Sequence, residues 1–584
     1  MKRTIGSFLY GALLAMAGAA SAPQAMAQTP TAAVFNAYRP APAFSETSTT
    51  SFYLPMRDGV KVAMQVVRPA KDGKTVEGKF PVVWQAGLGL PGPPNPNLAP
   101  ERALGDWSRL VKQGYVVVDV ARRAAGPSFG IRRGYHDREE AYDAYEITEW
   151  LAKQPWSNGM VGMHGCSNTG EAVMHALSVA PPHLKAAWAG CFSWSKYDGF
   201  LRGGGIIANW GSGPTRTVEE DMKERPVDGD ESRTLLAQAA REHLQSVDLF
   251  ALLKSIPYRD SWSPLTRSRF AVEGSTSAYA LQLANANIPL YIQGGWYDDF
   301  RKEGLIALAN MPNTHIVIGP WTHCANTDFD LIGEAQRFFD HYLKGVDTGI
   351  ERDDPIHYFV VGAAKGQEWR AAKTWPSVTQ NALSLYLAKG ALAARKPGGG
   401  GQAAFTANYN TACAVKQTTF VTNLQPCHPQ TGAVSFQGPK LQRATELTGH
   451  PIVKVWVSSS NTKEARVFAY LEDVAPDGSV KALTEGRQSV ALRKLATPPW
   501  KYYDLPWRRS YAEDGQPLKT GEAVEVVIDM LPLSYIVPAG HRIQLSVAGA
   551  DPRERVRPDG EPPALTVYFG GNKPSSLSLP ARAS

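Results

Sequence analysis

Beyond its first twenty or so residues the chain has no apolar run long enough to cross a bilayer, so a polytopic membrane protein is excluded. It has neither an H-E-x-x-H nor a C-x-x-C arrangement, and no metal or other cofactor is expected. The acidic and basic run His136-Asp137-Arg138-Glu139-Glu140 reads as the start of a helix rather than a ligand set. Charge of one sign is also scarce. With 61 Lys and Arg against 54 Asp and Glu, the formal charge is only +7 over 584 residues, and no long basic block occurs, so nucleic acid is not an expected partner. Cysteine is sparse and odd in number: five residues leave at least one unpaired in an oxidising compartment. None precedes Cys166, which excludes a lipid-modified amino-terminal cysteine. Cys413 and Cys427, close together in a polar stretch, are the expected disulfide; Cys166, Cys191 and Cys324 read as buried free thiols.

What is present suits a folded, exported protein. The composition, 43% hydrophobic and 20% charged, is globular, and the length exceeds what one core holds, so two or three domains are expected. Lys2 and Arg3 precede an Ala-rich apolar run ending near Ala20, and Ala25-Met26-Ala27 supplies small residues before Gln28. This is a secretory signal over residues 1–27, with an uncleaved anchor as the rival; after cleavage no membrane association is expected, and the location is secreted or periplasmic.

The remainder divides by rhythm. Short β-branched strands alternate with helices over 28–195 and again over 286–373, the pattern of a parallel α/β sheet. Residues 196–285 lack clear strands and read as a helical insertion, placed where a cap would cover the carboxyl ends of the strands. From 374 to 584 many short alternating runs, such as Ile452–Val457 and Ile543–Val547, predict an all-β jelly-roll domain.

Three stretches carry the chemistry. In Met160-Val-Gly-Met-His-Gly-Cys-Ser-Asn-Thr-Gly170, an apolar run ends in a tight turn before a helix, with Ser167 at the corner and Gly165 two positions before it. The usual G-x-S-x-G elbow is not met in its last position, since Thr169 stands there and Gly170 follows. Gly294-Gly-Trp-Tyr-Asp298 then places a carboxylate after one strand, and Gly319-Pro-Trp-Thr-His323 an imidazole after the next. A hydroxyl needs a neutral imidazole to take its proton, and the imidazole needs a carboxylate to fix its tautomer. Ser167, Asp298 and His323 fall in the chain order of α/β-hydrolases. Such a site loses activity as the pH falls through the range where histidine protonates, roughly 6–7.

These motifs resemble those of the cocaine-esterase/X-prolyl dipeptidyl-peptidase family of serine hydrolases. Further matches are Pro55–Gly59, Glu149–Trp156, Phe338–Gly345 and Ser534–Ile543. The resemblance implies an α/β-hydrolase domain with a helical cap, a carboxyl-terminal jelly roll, and Ser167, Asp298 and His323 as the triad. It also implies an oxyanion hole that includes the backbone N–H of Asn168. Where the family commonly has tyrosine after the nucleophile, Asn168 stands here. The loop that usually supplies a tyrosine hydroxyl, Trp84–Leu90, has none, so N–H groups around Gly87 and Leu88 are the expected second donor. Trp84, Trp194, Phe300 and Trp321 are the expected pocket wall. Members acting on α-amino esters place acidic residues where this chain has Phe300 and Arg301. An Arg301 facing the pocket would repel a cation, and Asp299 reads as a solvated loop carboxylate. The expected substrate is therefore a small acyl or aryl ester, or an amide. The rival readings are an X-prolyl dipeptidyl aminopeptidase, an α-amino acid ester hydrolase and, from another class, a non-catalytic ligand- or carbohydrate-binding protein. Assembly into a homo-oligomer is left open.

Overall fold

The computed structural model describes residues 35–91, 107–207, 217–376, 382–413 and 426–582. The expected signal segment, 1–27, lies outside them.

A parallel sheet organises the first two-thirds of the chain. It is entered through a hairpin of β1 (Glu46–Pro55) and β2 (Lys61–Lys71), closed by the Arg57-Asp58-Gly59 turn with Gly59 at φ 83°. A short β3 (Lys74–Thr75) pairs with β2. Then follow β4 (Phe80–Gly87), β5 (Val116–Ala121), β6 (Ser157–Cys166), β7 (Leu184–Gly190), β8 (Leu290–Gly295), β9 (Thr314–Gly319), β10 (Ile356–Phe359) and β11 (Trp369–Ala372). The order is β1-β2-β5-β4-β6-β7-β8-β9-β10-β11, parallel from β5 through β10. Central strands buried on both faces are dominated by apolar residues: every residue of Val116–Ala121 is buried, including Asp119, whose carboxyl accepts the Gln85 side-chain N–H.

Helices cover both faces. On one side α1 (Arg109–Lys112) and, later in the chain, the long helix Leu331–Lys344 pack over Val83, Val117, Trp188 and Tyr291. On the other, α2 (Arg138–Ala152) and α3 (Asn168–Leu177) join the helix Arg301–Asn310 over Val82, Val118, Val161 and Ile292. The start of α2 is fixed as its sequence suggests: the Asp137 side chain accepts the N–H groups of Glu139 and Glu140.

Between β7 and β8 the chain leaves the sheet, and the described residues there form six short α-helices: α4 (Lys196–Phe200), α5 (Val218–Asp221), α6 (Thr234–His243), α7 (Leu249–Ser255), α8 (Phe270–Glu273) and α9 (Ala280–Ala286). Of these, α4, α7 and α8 share a small apolar cluster that includes Tyr197, Phe200, Leu252 and Phe270. The two helices after β8 and β9 then become α10 (Arg301–Asn310) and α11 (Leu331–Lys344).

The carboxyl-terminal part is a β domain of 13 strands among the described residues, from Ala382–Ala388 to Ser576–Arg582, around a core of its own. It is sewn to the first domain. Tyr502, Leu505 and Trp507 pack into the core of the parallel sheet, and Val361 exchanges backbone hydrogen bonds with Ser534 and Ile536.

Candidate active site

One residue, Ser167, separates β6 from α3, and its backbone stands at φ 61°, ψ −122°. Side-chain-bearing residues avoid this region, and such strain persists only where the surroundings enforce it. Here they do. A Cβ on Gly165 would lie 2.3 Å from the Thr169 carbonyl, and one on Gly170 would lie 2.3 Å from the carbonyl oxygen of Gly190 on β7. The glycine displaced to the third position after the serine is therefore the one that lets α3 approach its neighbouring strand. Thr169, in the place of the usual glycine, pins the corner: its Oγ1 accepts the Cys166 N–H at 2.7 Å and donates to the Cys166 carbonyl at 2.9 Å. The Ser167 N–H donates to Gly190 O at 2.9 Å.

The other two expected residues meet one another. Asp298, on the loop after β8, is fully buried, and His323, on the loop after β9, is 7% exposed. His323 Nδ1 lies 3.0 Å from Asp298 Oδ1. A carboxylate there selects the tautomer protonated on Nδ1 and leaves the lone pair on Nε2. The two loops are laced by backbone bonds, Trp296 N–H to Gly319 O and Tyr297 N–H to Trp321 O.

Against expectation, Cys166 and Cys324 form a disulfide, 5.9 Å between Cα atoms. The residue before the serine and the residue after the histidine are thus joined. Cys413 and Cys427 pair as expected, and Cys191 remains a buried thiol. Its Sγ accepts the Cys324 N–H at 3.3 Å and lies within 4.8 Å of an Asp298 oxygen and a His323 nitrogen. Burial, and then the Asp298 charge, push that thiol well up from its ordinary range.

Several other expectations are corrected. Arg301 does not face a pocket. It is 2% exposed and donates to Asp298 O at 2.7 Å, Pro532 O at 2.8 Å and Thr484 Oγ1 at 2.9 Å, because the first turn of α10 points at the β domain. Asp299 is not solvated: it is buried between Arg202 and Arg487. Burial opposes its ionisation, but Arg202 and Arg487 outweigh that and hold its carboxyl below the ordinary value. Trp84, Trp194 and Trp321 are buried in the cores, and Trp84 also lines a small cavity with His136 and His175 between the sheet and α2 and α3. Trp84 lies within β4, and Trp194 and Trp321 lie in the segments that follow β7 and β9, where helices and loops from other parts of the chain cover them. Trp321 instead braces the histidine loop, donating to Thr327 O and packing on Phe329 and Trp369. Phe300 does lie by the site, its ring 5.9 Å from His323 and 5.8 Å from Phe200 of the cap.

Asn168 opens α3 immediately after the serine. Gly87 ends β4, with its carbonyl taken by the Arg122 N–H, and Leu88 is 48% exposed. Tyr135, not singled out in the sequence, lies with its phenol against Asn168, and burial pushes that phenol up to about 12. Nothing in its local sequence marks it, since the loop that carries it has no strand or helix period.

Comparison with known proteins follows the same two-part division. Residues 58–325 match the family model of the X-Pro dipeptidyl-peptidase (S15 family), and residues 348–578 match that of the X-Pro dipeptidyl-peptidase C-terminal non-catalytic domain. A relative in Mycobacterium bovis that carries a serine esterase name is 28% identical over 604 residues, covering 91% of this chain and 95% of its own. The cocaine esterase of a Rhodococcus species is 26% identical over 562 residues, 85% of this chain and 90% of that one. Among solved structures, a CocE/NonD family hydrolase from Staphylococcus aureus superimposes with a TM-score of 0.71 at 21% identity, over 92% of this chain and 94% of that one. An α-amino acid ester hydrolase gives 0.67 at 20%, over 93% and 98%. These structural likenesses bear on the fold.

Proposed function

As a member of the X-Pro dipeptidyl-peptidase (S15) family of hydrolases, the chain has a nucleophile to be named, and we propose that it cleaves carboxylic ester or amide bonds of small acyl or aryl substrates through an acyl-enzyme on Ser167. The observation that carries this reading is the buried His323–Asp298 pair at 3.0 Å, tethered one residue from a serine held at φ 61°.

In this scheme Ser167 attacks the carbonyl while His323 Nε2 takes its proton, and Asp298 holds the imidazole and stabilises its charged form. The Asn168 N–H, with an N–H from Gly87 or Leu88, holds the oxyanion. His323 then protonates the leaving group, and water attacks the acyl-enzyme by the reverse of the same proton path. Phe300 supplies an apolar wall beside the imidazole.

The substrate reading rests on the loop after Asp298. Its extra carboxylate, Asp299, is already engaged by two guanidinium groups, so this loop offers no carboxylate to a substrate ammonium. A neutral acyl group is favoured over the free α-amino group that an X-prolyl dipeptidyl-peptidase or an α-amino acid ester hydrolase requires. Two disulfides suit an oxidising compartment, in keeping with export after cleavage behind Ala27.

A fluorophosphonate is expected to label Ser167, located by peptide mass spectrometry. Ser167→Ala should abolish the label and lower hydrolysis on the order of 10⁶-fold, and Asp298→Asn on the order of 10⁴-fold. A label elsewhere, with Ser167 unmodified, would overturn the assignment. p-Nitrophenyl butyrate should be turned over far faster than Ala-Pro-p-nitroanilide; the reverse order would point to the dipeptidyl-peptidase reading.

A further inference from the structure

The proposed reaction needs a hydroxyl after β6 and an imidazole after β9, yet β7 and β8 lie between those strands. The histidine loop must reach back across three strand spacings, about 14 Å. It does so as irregular chain: residues 320–330 contain neither helix nor strand. At the same end of the sheet three sulfur atoms converge. Cys166 is the last residue of β6, Cys191 follows β7 directly, and Cys324 follows His323. Their Sγ atoms all lie within 4.8 Å of one another.

We propose that the Cys166–Cys324 disulfide, braced by the Cys191 thiol, is the positioning device that holds His323 at Ser167. This rests on the assignment of Ser167, Asp298 and His323 above. The sulfurs take no part in acyl transfer; they set the geometry in which it occurs. The serine end of the link is itself immobile, since Thr169 Oγ1 holds both the N–H and the carbonyl of Cys166. From that fixed point one covalent bond reaches the histidine loop. Cys191 restrains the same loop from the strand in between, accepting the Cys324 N–H while lying against the Asp298 carboxylate. Each side of the imidazole is thereby tied: Asp298 on the ring, the sulfur cluster on the backbone that follows.

The bond itself is tested on the exported full-length protein by alkylation in denaturant without reductant. Cys191 alone of Cys166, Cys191 and Cys324 should take the label; alkylation of both Cys166 and Cys324 would overturn the proposal. Its role is tested with the Cys166→Ser, Cys324→Ser double variant and a fluorophosphonate probe. The limiting rate of Ser167 modification should fall about 30- to 100-fold, the scale of a misplacement near 1 Å, while the half-saturating probe concentration stays within about two-fold. The Cys413→Ser, Cys427→Ser control should react at the wild-type rate. A folded double variant reacting as fast as wild type would overturn the positioning role. Should the double variant not fold, Cys191→Ala answers instead: it should react about three- to ten-fold more slowly, with Cys191→Ser restoring most of the rate. Equal rates for wild type and Cys191→Ala would then count against the brace and the proposal with it. Wild-type protein unlabelled at Ser167 is a different failure, that of the triad assignment.

Discussion

A serine at φ 61° is held against its own preference, and the cost is met by its neighbours. The close contacts at Gly165 and Gly170 leave no room for a side chain at either position, and Thr169 closes the corner with two bonds to Cys166. Removing the side chain that resents this geometry should therefore stabilise the protein. Ser167→Gly is expected to be more stable than Ser167→Ala by about 1 kcal/mol. Urea unfolding of the two variants checks this; equal midpoints would mean that the corner carries no strain. The sequence marked this serine and the glycine shift beside it. It marked Thr169 only as a departure from the usual elbow, and not for the hydroxyl that reaches back three residues in a turn of this one shape.

At the scale of elements, α10 links the acid loop to the β domain. Arg301 spans the junction with three acceptors, one of them the Asp298 carbonyl, and Lys302 pairs with Asp529 at 2.8 Å. A buried guanidinium fork can serve three separated acceptors, whereas an ammonium on a flexible stem cannot. Arg301→Lys should therefore cost about 2–3 kcal/mol, as two buried charge-assisted bonds are lost, and slow Ser167 labelling. An unfolding curve together with the labelling rate reads both effects. By contrast the pair Arg352–Asp347, 69% exposed at each side chain, should be lost with no measurable change in the unfolding midpoint.

Across the whole molecule, burial of histidine sets the response to acid. His136, His164, His175, His315, His357 and His450 are all held below the ordinary value chiefly by burial, His164 and His450 down to about 3 and His357 to about 4. Their unfolded forms bind protons first. The stability tied to each is complete above the unfolded value, near 6.5, and is lost as the pH falls toward the folded value. Burial raises Glu140 and Glu303 to about 7 and Asp119 to about 6, and these act the other way, favouring the fold as the pH drops from 7. The balance is best read as a difference. His164 stacks on Trp107 at 3.7 Å, so His164→Phe keeps the ring contact without the titration. Between pH 6 and 4.5 this variant should gain on wild type by up to about 1.4 kcal/mol per pH unit, measured by unfolding at each pH. Parallel curves would rule out the cost assigned to His164.

What the sequence by itself determined is local and periodic. Strand runs, the Asp137 cap, the Gly59 turn and the placement of Ser167, Asp298 and His323 just beyond strands can be read from residues a few positions apart, because the physics that places them acts over a turn or a pleat. Direction across long separations was decided only by the tertiary structure. Cys166 and Cys324 are 158 residues apart, and nothing near either announces the other until β6, β7, β8 and β9 lie side by side. The same holds for Arg301 and Asp299, which turn to the β domain and to Arg202 and Arg487, and for Trp84, Trp194 and Trp321, enclosed by layers from distant segments. A side chain's type and period belong to its own stretch of chain; what it faces belongs to whichever element packs over it.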